Sequence, residues 1–168
     1  MTSYTVIDTP IGDMLLVGEA GGDTTALAGA YLVGQRYERA VGADWVRDDA
    51  VFAGIEKQFD EYFAGNSTSF DLSFALHGSD FQRAVWEALA DIPYGATCSY
   101  GELAARVADR SKTRAVAAAV GRNPLCIVLP CHRVVGADGS LTGYAGGLDR
   151  KRWLLDHEST VAGLTLAL

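Results

Sequence analysis

No apolar run in this chain approaches the roughly 20 residues that a membrane-spanning helix needs. Its opening residues, Met-Thr-Ser-Tyr, lack the basic-then-apolar order of a secretory signal. Cysteine is scarce: Cys98, Cys126 and Cys131 form an odd, widely spaced set. Such a set argues against a disulfide scaffold and for free thiols in a reducing compartment, so a cytoplasmic protein is expected, or a nuclear one in a eukaryote. Internal repeats and low-complexity segments are missing too. Basic side chains are few in residues 1–76, with 4 Lys/Arg against 12 Asp/Glu, a net of −8. Residues 77–168 hold 10 against 9, a net of +1. An overall charge of −7 argues against general polyanion binding. Yet Arg106, Arg110, Lys112, Arg114 and Arg122 face the single acid Asp109 within one short segment. Any polyanion contact should be local to that segment.

At 168 residues and 49% hydrophobic, the chain can bury a sizeable core. Residues 4–8 read as a short strand, Thr9-Pro10-Ile11-Gly12 as a turn and residues 14–17 as the hairpin partner. A third strand is expected over residues 26–33. From Asp48 to Ala64 the positions Val51, Phe52, Ile55, Phe59, Tyr62 and Phe63 recur at helical spacing. Asp48 is the expected N-cap there and Gly65-Asn66 the stop. Phe70, Leu72, Phe74 and Leu76 alternate with Asp71, Ser73 and Ala75, as in a strand with one buried face. These elements make a small N-terminal α/β domain over residues 1–76.

Residues 77–168 read as a mostly helical domain, giving an α+β chain. A helix starts at Ser79 and ends at Ile92-Pro93-Tyr94-Gly95. Ser99 and Glu102 have capping-box spacing for a second helix reaching Ala108. Ser111 can cap a third, running to Gly121, and Asn123-Pro124 forbids its continuation. Two short helices joined by a tight turn are a helix-turn-helix candidate, of the winged-helix kind. The second carries Arg114 beside Ala115-Val116-Ala117-Ala118-Ala119-Val120. Small side chains would let its backbone approach whatever Arg114 reaches; the plain alternative is tight core packing. A last helix is expected from Leu148 to His157, ahead of Glu158.

The chemistry concentrates in Asn123-Pro124-Leu125-Cys126-Ile127-Val128-Leu129-Pro130-Cys131-His132-Arg133-Val134-Val135. An apolar extended run ends at a proline, and a thiol, an imidazole and a guanidinium follow at once. Cores rarely take these three in succession. A reactive cysteine at the end of a buried strand is expected. Neighbours on an extended chain point to opposite faces, so direct Cys131–His132 pairing would need a turn or a bridging water. An imidazole base also usually needs a carboxylate partner, for which Glu158 is a candidate. Three readings stand side by side: a structural buried thiol, a cysteine-hydrolase nucleophile, and a zinc site with Cys98 and Cys126. The spacing of Cys126 and Cys131 is not C-x-x-C, which disfavours zinc. The glycine-rich stretch 141–147 lacks the phosphate-loop lysine pattern and suits the wall of a pocket for a flat ligand.

Pro130-Cys131-His132-Arg133-Val134 resembles the active-site signature of the O6-alkylguanine-DNA alkyltransferases, the methylated-DNA–protein-cysteine methyltransferases. The similarity extends over Ser99-Tyr100, Arg114-Ala115-Val116, Asn123-Pro124, residues 143–147, Trp153-Leu154-Leu155 and His157-Glu158. The resemblance implies a monomeric, single-use DNA repair protein without cofactor or membrane partner, acting on double-stranded DNA from the minor groove. Cys131 would take an alkyl group from O6 of guanine, with O4 of thymine as a further candidate, and the protein would be consumed. Glu158 would orient His132, which would deprotonate Cys131 through a water. Tyr100 and Arg114, with Ala115, fall where the family flips the damaged base from the duplex. Asn123 would tie the motifs together by hydrogen bonds to backbone. Val134, Tyr144, Ala145 and Gly146 would form the guanine pocket, with Lys151 as a further polar contact. Some relatives carry serine at the position of Ala145, so a hydroxyl contact to O6 is absent here. Zinc-bearing relatives have N-terminal cysteines; this chain has none before Cys98, so no metal is expected. Related damage binders that transfer nothing carry tryptophan in place of the cysteine.

Overall fold

The computed structural model describes residues 1–21 and 24–167, which group into two compact units. The first comprises Met1–His77 with Pro124–Cys126, the second Gly78–Asn123 with Ile127–Leu168.

In the first unit, β1 (Thr2–Ile7), β2 (Met14–Gly21), β3 (Thr24–Leu32) and β4 (Val46–Arg47) form one sheet in the order β3-β2-β1-β4. The β1–β2 hairpin turns where Thr9 and Gly12 exchange two backbone hydrogen bonds of 3.1 Å. Strand β2 is the centre: Met14 to Val17 are buried, so its apolar run feeds both faces. Leu15, Val17 and Tyr31 pack on one face with Tyr4, Val6 and Trp45. On the other, Gly18 leaves room for the Phe52 ring, where a Cβ would come within 2.9 Å of the ring edge. Strand β4 escaped the sequence reading. It is two residues long and pairs parallel to β1, through Ser3–Val46 and Tyr4–Arg47.

Two expectations for this unit need correction. Asp48 caps nothing with its side chain; a 3-10 turn over Asp49–Phe52 intervenes before α1 (Ala53–Phe63). Asp49 is the acid with partners there, accepting from Thr5 Oγ1 at 2.6 Å and Arg47 Nε at 3.0 Å. The helix does stop at Gly65, whose φ of 79° suits glycine. Phe70 to Leu76, in turn, is no strand. Only Phe74 bridges to Leu27, and Phe74 is 43% exposed, so the alternation buries no continuous face. Two backbone bonds, Leu27 N to Ser73 O and Ala75 N to Leu27 O, and the amide of Gln58 on the Asp71 backbone hold the segment extended instead.

The second unit is built on α2 (Asp80–Leu89), α3 (Tyr100–Val107), α4 (Thr113–Gly121) and α5 (Leu148–Ala167). Ser79 and Gln82 form a reciprocal capping box at the start of α2. Val85, Trp86 and Leu89 bury its inner face, and the Trp86 indole donates to the Ala119 carbonyl at 2.8 Å, fastening α2 to α4. Ser99 caps α3 through the Glu102 amide. The cap before α4 differs from expectation. Asp109 accepts from the Ser111 amide at the head of a 3-10 turn over Arg110–Lys112, and α4 follows without a side-chain cap. Helices α3 and α4 with that turn make the helix-turn-helix. Two short strands, β5 (Cys98–Ser99) and β6 (Val134–Val135), pair parallel and join the start of α3 to the chain just after Cys131. Helix α5 runs well past the expected His157. Among the described residues, no helix is long and apolar enough to cross a membrane.

Candidate active site

Cys131 does not end a strand. The preceding run holds isolated bridge residues at Leu125, Cys126 and Leu129 and no strand; Leu125 pairs with Ala30, and Ile127 takes a φ of 74°, costly for a β-branched residue. Asn123 holds this turn: its Nδ2 donates to the Leu129 carbonyl at 2.7 Å, and the whole group is buried. Cys131, His132 and Arg133 then form a single 3-10 turn, all three buried. The tight turn removes the difficulty of opposite-facing neighbours, because successive residues no longer point 180° apart.

Glu158 of α5 closes the turn from the other side. Its Oε2 lies 2.7 Å from His132 Nε2, while Arg133 meets the same carboxylate at two points, Nε to Oε1 at 2.7 Å and Nη2 to Oε2 at 3.0 Å. Arg133 Nη1 also donates to the Ile92 carbonyl at 2.6 Å, anchoring the turn to the end of α2. Burial alone would raise the Glu158 carboxyl, but the hydrogen bonds and charges of His132 and Arg133 hold it at about 2. Burial pushes the His132 imidazole below its ordinary range, against the opposing pull of Glu158. An ionised carboxylate only accepts, so Nε2 carries the imidazole hydrogen and Nδ1 the lone pair. Nδ1 is buried and has no hydrogen-bond partner among the described residues.

Lys151, two turns earlier on α5, is fully buried. Its ammonium donates to three carbonyls, those of Val134 at 2.6 Å, Gly143 at 3.1 Å and Thr142 at 3.3 Å. Desolvation brings it down to about 8. The amine thus fastens the 141–147 loop to β6, with its donors directed at backbone. Tyr100 Oη donates to the same Thr142 carbonyl at 3.1 Å, and its ring lies 5.8 Å from Lys151 Nζ. Burial raises the Tyr100 phenol, and the charge of Cys131 raises it further, which puts the thiol within electrostatic reach of both groups. Tyr144, Ala145 and Gly146 are half-buried in the loop so held, and Val134 is fully buried behind it.

Arg114 and Ala115 stand apart from this cluster. They lie on the exposed face of α4 with Ala118 and Arg122, opposite the buried Val116, Ala119 and Val120. The sequence-derived residues therefore divide into a buried group around Cys131 and a small-residue helix face with a basic edge. Arg133 is the participant that sequence reasoning overlooked. Its place between His132 and a buried strand was visible, but nothing in the spacing pairs it with Glu158. Cys98 and Cys126 are buried thiols outside any disulfide, and no group of three His, Cys, Asp or Glu among the described residues could hold a metal ion.

A buried thiol beside a histidine–carboxylate pair, joined to a helix-turn-helix by β5 and β6, defines a cysteine-centred protein of the helix-turn-helix class. Comparison with known proteins narrows this. The family model "6-O-methylguanine DNA methyltransferase, DNA binding domain" matches residues 80–160, and that family's "ribonuclease-like domain" matches residues 2–76. The methylated-DNA–protein-cysteine methyltransferase of Mycobacterium tuberculosis is 45% identical over 168 residues, covering 100% of this chain and 99% of its own. That of Methanosarcina acetivorans is 42% identical over 157 residues, covering 94% and 98%. The crystal structure of the Mycobacterium tuberculosis protein OGT in complex with DNA superposes with a TM-score of 0.87 at 45% identity, over 95% of this chain and 94% of that one. The chain belongs to the methylated-DNA–protein-cysteine methyltransferase family and is a methyltransferase.

Proposed function

We propose that the protein repairs DNA by direct reversal, taking a methyl or larger alkyl group from O6 of guanine onto Cys131 in a single irreversible step. The observation that carries this reading is the buried Cys131–His132–Glu158 arrangement, with its base in the tautomer that leaves Nδ1 free to accept. The thiol proton passes to His132, directly or through one water, and Glu158 stabilises the imidazolium that forms. The thiolate attacks the alkyl carbon, an S–C bond forms as the C–O6 bond breaks, and the electron pair stays on guanine. The proton held by His132 returns to the base, which leaves as guanine. A thioether is chemically inert under these conditions, since its dealkylation would have to expel a thiolate, so each molecule acts once.

The target atom of a stacked base cannot meet a buried thiol, so the nucleotide must leave the duplex. Helix α4 suits the minor groove: Ala115 and Ala118 permit close approach, and exposed Arg114 can fill the gap left by the base. Tyr100 contacts the rotated nucleotide from the first residue of α3. Val134, Tyr144, Ala145 and Gly146 enclose the guanine, with Lys151 fixing their backbone. Asn123 positions the turn that precedes Cys131. The DNA complex of the Mycobacterium tuberculosis relative supports DNA as partner.

Intact mass and methyl label decide the reading. On a duplex carrying one labelled O6-methylguanine, the protein should gain one methyl equivalent, located at Cys131, with no turnover. Cys131→Ser should gain none. Label released as methanol, or repeated cycles, would overturn the proposal and favour a hydrolase. Arg114→Ala should slow transfer from duplex DNA while leaving transfer from a free O6-alkylguanine base near the wild-type rate; equal loss on both would make Arg114 structural.

A further inference from the structure

Arg133 has no part in the chemistry just described, yet it makes more contacts to Glu158 than His132 does. We propose that Arg133 is a positioning residue: by matching the charge of the Glu158 carboxylate, which it contacts at two points, it keeps His132 uncharged and therefore able to accept a proton from Cys131. This rests on the reading of His132 as the base for Cys131.

Charge and geometry carry the argument. A buried carboxylate with no other counter-charge favours a proton on the imidazole beside it, because the imidazolium offsets the carboxylate's charge. Such an imidazole is already protonated and cannot act as a base. Here Glu158 is matched by a guanidinium that never deprotonates under ordinary conditions. Arg133 and Glu158 sum to zero, and a proton on His132 would add an uncompensated charge to a site shut off from water. The remaining charged and titratable groups of the cluster act the same way or not at all: Lys151 of α5 adds a second positive charge at the imidazole, while the Tyr94 phenol, beside Glu158 and Arg133, and the Cys131 thiol, beside Lys151, are neutral until ionised. Glu158 is the single anion among them. Arg133 is itself held in place by the Ile92 carbonyl at 2.6 Å and by the Tyr94 ring, 5.5 Å from the guanidinium carbon. The fork therefore cannot swing away and leave Glu158 to His132. During transfer the balance reverses briefly: the proton arrives on His132 as the thiolate forms nearby, so the added positive charge gains a second negative partner.

The test uses the whole protein and reads the charge of His132 in two ways. Imidazole nitrogen shifts should report a neutral Nε2–H ring in the wild type at pH 7, taking up a proton only on the acid side of an ordinary histidine. Single-turnover methyl transfer from an O6-methylguanine duplex, followed against pH, should lose rate on the acid side only below the ordinary histidine range. In Arg133→Met the acid limb should move up, so that transfer at pH 6.5, taken relative to its own rate at pH 8.5, falls several-fold below the same ratio in the wild type. Arg133→Lys keeps the charge and loses the fork; its acid limb should stay close to wild type even if its melting temperature drops. An imidazolium at pH 7 in the wild type overturns the proposal, whether or not either variant folds. So does an unmoved acid limb in Arg133→Met, or one that moves equally far in Arg133→Lys. If the wild type transfers no methyl group, the functional reading fails alone, because the imidazole shifts still report on Arg133.

Discussion

Ion pairs occur in both units, and they use the same residue types in opposite surroundings. In the first unit Arg47 meets Asp49 at 3.0 Å and His77 meets Glu19 at 2.8 Å, with more than a third of every side chain in water. In the second, His132, Arg133 and Glu158 converge at similar distances with almost no exposure. Distance alone does not separate the two sets. Solvent screens the first and lets each partner find water when the other is removed, so these pairs add little. The second set has no such alternative. Its members fix one another's charge, and the charge of an imidazole decides whether it can act as a base.

Removing one member of each set should expose the difference. The largest effect is expected for Glu158→Ala, which leaves the Arg133 guanidinium buried without a counter-charge. A loss of about 3–5 kcal/mol in urea unfolding is expected, together with loss of methyl transfer. A loss near that of a surface pair would erase the contrast. Next comes acid. The Glu158 carboxyl is depressed from 4.5 to about 2 in the folded protein, so its stabilisation is full above pH 4.5 and disappears as pH falls towards 2. About 3 kcal/mol should be lost over that window, and Glu158→Gln should flatten that part of the stability profile. Asn123→Ala should cost about 1–3 kcal/mol, because the buried Leu129 carbonyl loses its donor. It should slow transfer as well, since the strained turn at Ile127 loses the tie that fixes it. Glu19→Gln and Asp49→Asn should leave the melting curve unmoved beyond the scatter of repeat scans. A shift as large as that of Asn123→Ala would mean that the exposed pairs are coupled to packing.

Elements set by local chemistry were legible in the sequence. The serine caps of α2 and α3, the stop at Gly65 and the β1–β2 hairpin all depend on residues within five positions of each other. Elements set by distant partners were not. Phe70 to Leu76 has strand periodicity, but only Leu27 of β3 pairs with it and Phe74 faces solvent. Asp48 was the expected cap, but Thr5 and Arg47 engage the neighbouring Asp49 instead. Cys131, His132 and Glu158 were candidates from their chemistry and took their roles from family resemblance, while the Arg133–Glu158 pairing needed coordinates, because 25 residues separate the two. The run before Cys131 looked like a strand because its residues are apolar. Burial is what that composition encodes, and Ile127 at positive φ shows that a buried segment can turn just as well.

Helix α5 carries both Lys151 and Glu158, seven residues and about 10 Å apart along one face. One end of that interval fastens the 141–147 loop and the other holds the His132 imidazole. The two are thus registered to a single rigid spacer, so a slide or tilt of the helix displaces both together. Tightness of fit around a base and readiness of the nucleophile should then rise and fall as one property, and substitutions on the buried face of α5 between them, such as Leu154, should change both in step.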